Sequence, residues 1–256
     1  MILRRITEHV KAQNWTAVAL DFVIVVVGVF IGIQVSNWND ARVQKQSART
    51  YIERIRGDLT ANQEDLNQRL VYFRQARKSA GDALNALDEP AETLDEKFLI
   101  DVYTASHILP RAFGRDTYDE ILSVGANNAI SDVELRKRLA NFYRSVEAPL
   151  LNLKGVPPYR EMIRRGLPYD VHKIISSACG DNISTGPMGE PIIELKIDCE
   201  PDLAQEQISA AVSEILSMNI RKDLVRRVVD LDSKLASIQL VIDRTVLLDE
   251  YLQDVD

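Results

Sequence analysis

Residues 17–36 read AVALDFVIVVVGVFIGIQVS, and no other stretch limits the fold of this chain as strongly. Every residue from Phe22 to Ile33 is apolar or glycine, and between Ala17 and Val35 only Asp21 and Gln34 interrupt. At 1.5 Å per residue a helix of this run covers roughly 28 Å, close to the ~30 Å of a bilayer's hydrocarbon core. Trp15 and Trp38 bracket it about 35 Å apart, as aromatic side chains do at the two membrane interfaces. A buried core helix or a cleavable signal peptide could carry a similar run. Against cleavage, the run is long for a signal sequence and no A-x-A-like site follows it. The expectation is therefore an uncleaved signal anchor: 1–16 a cytoplasmic tail, 17–36 a single transmembrane helix, 37–256 an extracytoplasmic domain. Arg4, Arg5 and Lys11 precede the span and Arg42, Lys45 and Arg49 follow it. The positive-inside rule is nearly balanced, so the orientation rests on a short basic tail ahead of a long domain.

Within the span, Gly28 and Gly32 form a G-x-x-x-G, Ser36 continues the row, and Asp21 shares its face. Small residues at this spacing let two helix backbones approach closely. The row reads either as a contact face, for a second copy or another membrane protein, or as common membrane-helix residues with Asp21 at headgroup level. Over the whole chain 27% of residues are charged and the formal net charge is -7. That balance excludes a disordered polyelectrolyte and a basic nucleic-acid binder.

Gly and Pro place the remaining boundaries. Seven of the nine prolines and five of the eleven glycines fall between Pro149 and Pro201, whereas 33–89 holds no proline. The expected architecture is mainly α: the membrane helix, then a long-helix, coiled-coil-like bundle with a small β or irregular insertion near 170–200. A first long helix is expected from about Asn39 to Leu87, and nothing between Val35 and Gln46 would stop it continuing from the span. Its seam of Ile52, Ile55, Leu59, Leu66, Phe73, Ala80, Leu84 and Leu87 is interrupted by Asn62, Arg69 and Arg77. Thr93–Glu96 and Ser131–Glu134 read as capping boxes, opening helices over 94–108 and from 132 to Pro149. Others are expected over 115–124 and 158–165. A last helix is expected from Asp202 as N-cap to Leu252, with Leu224, Val228, Leu231, Leu235, Ile238 and Ile242 as its heptad seam, antiparallel to the first. Between Ile193 and Ile197 apolar and polar residues alternate as in a half-buried strand.

Cys179 and Cys199 are the only cysteines. Either they are unpaired, or a disulfide closes a loop of about twenty residues and stabilises it by ~3 kcal/mol, which needs an oxidising compartment. The histidines His9, His107 and His172 fall in no metal or catalytic motif, and no nucleophile elbow, Walker A or dinucleotide-binding fingerprint occurs. Asp116, Asp119 and Glu120 have no nucleophile or metal ligand beside them. Arg160, Arg164 and Arg165 read as a solvated helix face or an anion-binding patch. The expectation is no catalytic residue, no metal and no cofactor.

The segment from Val25 to Arg42, with Gln34, Asn37, Trp38, Asn39, Asp40 and Arg42, resembles a Q-x-x-N-W-N-[DE]-x-R membrane-exit motif. An uncharacterised bacterial family of N-terminally anchored membrane proteins carries that motif. Tyr118-Asp119-Glu120-Ile121 through Gly125, followed by Ile130-Ser131-Asp132 and Glu134-Leu135-Arg136, is similar to that family's aromatic-x-E-L-x-x-x-G turn and the helix after it. This chain has Ser36-Asn37 where a pair of asparagines is common, and Val124 where a serine is common. The resemblance implies location and architecture: the bacterial inner membrane, with the C-terminal domain in the periplasm. Physically, Gln34, Asn37, Trp38 and Asn39 sit where the helix leaves the bilayer, and their polar groups can bond headgroups or a neighbouring helix without the cost of a charge. The expected function is a non-catalytic accessory or scaffold subunit whose partners are the bilayer and other copies or membrane proteins. The alternative is a ligand-sensing periplasmic bundle acting through a membrane partner.

Overall fold

The structure is a computed structural model that describes residues 15–125, 129–186, 189–196 and 198–255. Most of the expected tail, with Arg4, Arg5, His9 and Lys11, lies outside the described residues, as does Ile197. The fold is mainly α with one small two-stranded sheet. The first helix, α1, is a single rod, Trp15–Ala86, of 72 residues. No proline or glycine pair breaks it, so the apolar run and the bundle share one backbone. It ends in turns at Asp88 and Glu89, ahead of Pro90.

Beyond about residue 51, α1 buries a continuous 3-4 seam. Ile52, Ile55, Leu59, Asn62, Leu66, Arg69, Phe73, Ala76, Ala80 and Ala83 are all buried. Asn62 and Arg69 thus belong to the seam they were expected to interrupt. Leu84 and Leu87 are only partly buried, because the seam turns to Ala83.

After a 3-10 turn at Ala91–Thr93 comes α2, Glu96–Ala105. Its N-cap is Asp95, whose carboxylate accepts from Phe98 N, so the expected Thr93 box moves two residues on. Thr93 instead donates its hydroxyl to Pro90 O at 2.7 Å. The segment 107–115 has no regular secondary structure and leads to α3, Asp116–Val124, which stops at Gly125 with φ 90°. Helix α4, Val133–Lys154, is capped by Asp132 rather than Ser131, its Oδ1 accepting from Glu134 N and Leu135 N.

The expected stop at Pro149 fails: α4 runs five residues past it. Proline removes the N–H that would bond Ser145 O four residues back. The Arg244 guanidinium donates to that carbonyl instead. Next come α5, Pro158–Gly166, and α6, Tyr169–Cys179. Part of the stretch near 170–200 expected to be β or irregular is therefore helix. The antiparallel hairpin β1, Asp181–Thr185, and β2, Pro191–Leu195, occupies the rest.

The expected last helix is two: α7, Gln205–Ser217, and α8, Arg221–Val255. Asn219 breaks it with φ 51°, a left-handed conformation that asparagine tolerates at helix ends. Asp202 is not the N-cap; it too has positive φ, 57°, and α7 begins after Ala204, whose N–H is taken by Gln207 Oε1. Helix α8 packs antiparallel to α1, as the rim pairs Arg56–Asp249, Arg77–Asp232 and Arg221–Asp88 show. Its buried seam is Leu224, Arg227, Leu231, Lys234, Ile238, Val241, Thr245, Leu248 and Leu252. The expected Val228, Leu235 and Ile242 lie one residue to the side and are only partly buried.

Candidate functional site

The described residues hold one helix long and apolar enough to cross a membrane, and its apolar window is wholly unburied by the rest of the chain. Trp15 and Trp38 are exposed at 72% and 68%, which places both indoles outside the bundle. Asp21, Gly28, Gly32 and Ser36 lie on this segment along one stripe, at successive steps of seven and four residues. A Cβ at Gly28 or Gly32 would meet nothing within 4 Å, so no contact inside the chain requires glycine there. Gln34, Asn37, Asn39 and Arg42 occupy the next turns of the same rod, exposed.

The bundle's polar interior is more informative. Asp58, Asn62, Asp65 and Arg69 form one rung per turn of α1, and each engages the segment 111–117. Asp58 Oδ2 accepts from Thr117 N at 3.1 Å, at the start of α3. Asn62 bonds Gly114 in both directions, its Nδ2 to Gly114 O and Gly114 N to its Oδ1, both at 2.7 Å. A Cβ on residue 114 would stand 3.2 Å from that Oδ1, so glycine permits the approach. Asp65 pairs with Arg69 and Arg111, and Arg69 Nη2 donates to Ala112 O at 3.0 Å. From the other side, α8 sends two cations to helix ends. Arg227 donates to Ala105 O at 2.8 Å and His107 O at 2.7 Å, just past α2. Lys234 Nζ donates to Asn152 O at 2.6 Å, and to Leu153 O and Gly155 O, at the end of α4. These carbonyls lie in the last turn of α2 or α4 or just beyond it, where helical backbone partners run out and a positive charge is favoured. Burial holds both cations below their ordinary pKa.

A second cluster joins five elements around Tyr72. The Tyr72 hydroxyl donates to Asp181 Oδ1 at 2.9 Å, tying α1 to the first residue of β1. His107 is buried, with Nδ1 at 3.2 Å from the carbonyls of Tyr103 and Thr104 and Nε2 at 3.7 Å from Asp181. The hydrogen-bond network assigns Nδ1 as the protonated nitrogen of a neutral ring. Burial lowers its pKa to about 4 although Asp181 pulls upward; Arg164 and Arg160 also lower it. Tyr103 stands edge-on to both His107 and His172. Arg164 lies 4.0 Å above the Tyr103 ring, with Nη1 3.1 Å from His172 Nε2. Burial, then Arg164 and Arg160, lower the His172 pKa. Arg160 donates to Ser106 O at 3.0 Å.

The sequence separates what this cluster brings together. Of the three arginines read as a solvated helix face or an anion-binding patch, Arg160 and Arg164 are partly buried in this cluster, while Arg165 stays exposed. The signal lay in their i, i+4 spacing, which puts both on the face of α5 beside buried Ile163 and Tyr159. Asp116, Asp119 and Glu120 do not converge: Asp119 pairs with Arg115, Glu120 with Arg54, and Asp116 stands exposed in the first turn of α3. Cys179 and Cys199 are bonded, their Cα atoms 5.2 Å apart, and this bridge closes the hairpin against α6. Beside the hairpin run two adjoining grooves of about 630 and 650 Å³ that share Gln75 and Leu195. Among the described residues no three His, Cys, Asp or Glu side chains converge as a metal site.

No family model matches the chain, and neither a curated protein nor a solved structure does.

Proposed function

We propose that this chain is a single-pass membrane-anchored envelope protein of the bacterial inner membrane, with its N-terminus cytoplasmic and its C-terminal domain periplasmic. In this reading it is non-catalytic: an accessory or scaffold subunit that associates through its membrane helix and its long helices. One observation carries the reading. The apolar segment and the bundle seam lie on one uninterrupted helix, and the bundle leaves the apolar segment bare. A rigid rod of this kind transmits position between a bilayer and a domain. The Cys179–Cys199 bond supports an oxidising location, and the stripe of Asp21, Gly28, Gly32 and Ser36 supplies a surface for a second copy or another membrane subunit. Extraction in mild detergent, affinity purification and native mass measurement test it. A stoichiometric complex, with itself or with foreign membrane subunits, is expected. A strictly monomeric chain, or one recovered in the soluble fraction, overturns it.

A second reading, a ligand-sensing bundle that acts through a membrane partner, is favoured by the grooves between α1 and the hairpin. They lie against the same rod that carries the apolar segment. A thermal-shift screen of small metabolites against the full chain separates the two: reproducible hits that Gln75→Leu abolishes support sensing.

A further inference from the structure

Arg160 and Arg164 stand one turn apart on α5 and are only partly exposed, yet neither is ion-paired among the described residues. The fully buried arginines are matched, Arg69 with Asp65 and Arg227 with Asp230, and the partly buried Arg136 and Arg244 each cap backbone carbonyls away from any second cation. Among the described residues Arg160 makes one hydrogen bond, to Ser106 O, and Arg164 makes one, to His172 Nε2. A guanidinium carries five N–H donors, so most of this pair's capacity is unused. The Nε of Arg164 is buried without a partner. The Arg164 guanidinium carbon lies 4.0 Å from the centroid of the Tyr103 ring, which holds the group over that face. The cluster's one carboxylate, Asp181, is committed to Tyr72 and faces His107. Taking two adjacent cations partly out of water is unfavourable: Asp181 offsets some of the charge on Arg160, yet burial and then Arg164 still lower its pKa.

We propose that Arg160 and Arg164, backed by His172 and Tyr103, form a binding site for a small phosphate-type dianion. Two guanidinium forks match two negative charges, and arginine binds such oxyanions bidentately where a monocarboxylate supplies one charge only. The source is a soluble phosphate or phosphate ester rather than a lipid headgroup. Tyr72, beside the site, lies about 50 Å along the rod from Trp38, out of reach of headgroups at the helix exit. That last exclusion alone rests on the membrane reading.

The test is calorimetric titration of the full chain in detergent micelles with inorganic phosphate, at constant ionic strength set by sodium chloride. One saturable site is expected, with acetate at least about tenfold weaker. Arg160→Gln and Arg164→Gln each weaken phosphate by about tenfold or more, whereas exposed Arg165→Gln leaves it unchanged. The absence of saturation by about 10 mM phosphate overturns the proposal. So does equal affinity for acetate, or full affinity in the Arg160→Gln variant. Should Arg164→Gln fail to fold, the parent titration and Arg160→Gln still decide. Membrane association is not read in this experiment, so its outcome is independent of the function proposed above.

Discussion

The two halves of α1 share one helix and follow opposite rules. Its N-terminal part presents Phe22, Ile24, Phe30, Ile31 and Ile33 outward at half to two-thirds exposure and carries almost no polar group. Its C-terminal part buries a narrow seam that includes Asn62 and Arg69, with Asp58 and Asp65 on the adjoining rungs. A surface facing hydrocarbon can satisfy no polar group, so polar residues are excluded there. A bundle in water has loops and helix ends whose carbonyls and N–H groups need partners, and inward polar side chains supply them. Polarity within a helix seam is therefore a sign of what the seam must hold, and not a defect in it.

Removing the buried cations breaks this contrast most severely. Arg69→Met, Arg227→Met or Lys234→Met each leave helix-end or loop carbonyls without donors, and Arg227→Met also leaves Asp230 without its ion-pair partner. Each is expected to cost about 3–5 kcal/mol of bundle stability in chemical denaturation. Membrane extraction should be unchanged. If any of the three is neutral, the anchoring role assigned to it is wrong. The reciprocal change, Val27→Arg in the apolar half, should cost about 3 kcal/mol of membrane insertion while leaving the bundle's melting temperature intact. A melting point that falls with it would mean that the two halves do not act separately.

Reducing Cys179–Cys199, or replacing both with serine, should lower stability by about 3 kcal/mol from the loop of about twenty residues, read as a reductant-dependent melting shift. Burial of neutral His107 sets a pH window. Its folded pKa, about 4, lies below the ordinary 6.5. Its contribution is complete above pH 6.5 and is lost as pH falls from 6.5 toward 4, where the unfolded chain binds a proton that the folded chain refuses. A stability–pH profile should slope downward across that interval, and His107→Gln should flatten it. The smallest change is Asn219→Gly, which relieves the left-handed residue between α7 and α8 and should raise stability by a few tenths of a kcal/mol.

How far the sequence is legible follows the same division. The apolar run, the unbroken stretch of α1, much of the α8 seam and one strand of the hairpin can be read from periodicity, breakers and alternation, because each is a local pattern. The composition of the seams cannot. A reading that equates inside with apolar passes over Arg227 and Lys234 and selects Val228 and Leu235 one residue further on. It also ends α4 at Pro149, because the donor that replaces the lost N–H is Arg244, far away in the chain. The same blindness scatters Tyr72, His107, Arg160, Arg164, His172 and Asp181, which no spacing links.

By itself the sequence determined that this chain is mainly helical, that it begins with a segment fit for a bilayer, and that a long rod joins that segment to a bundle. Hydrophobic periodicity and helix breakers act over a few residues and are visible in one dimension. Only the tertiary structure decided which charges go inside, where each helix ends, and which distant side chains share a cluster. Burying a charge is favourable only beside a partner, and the partner is chosen by packing rather than by position in the chain.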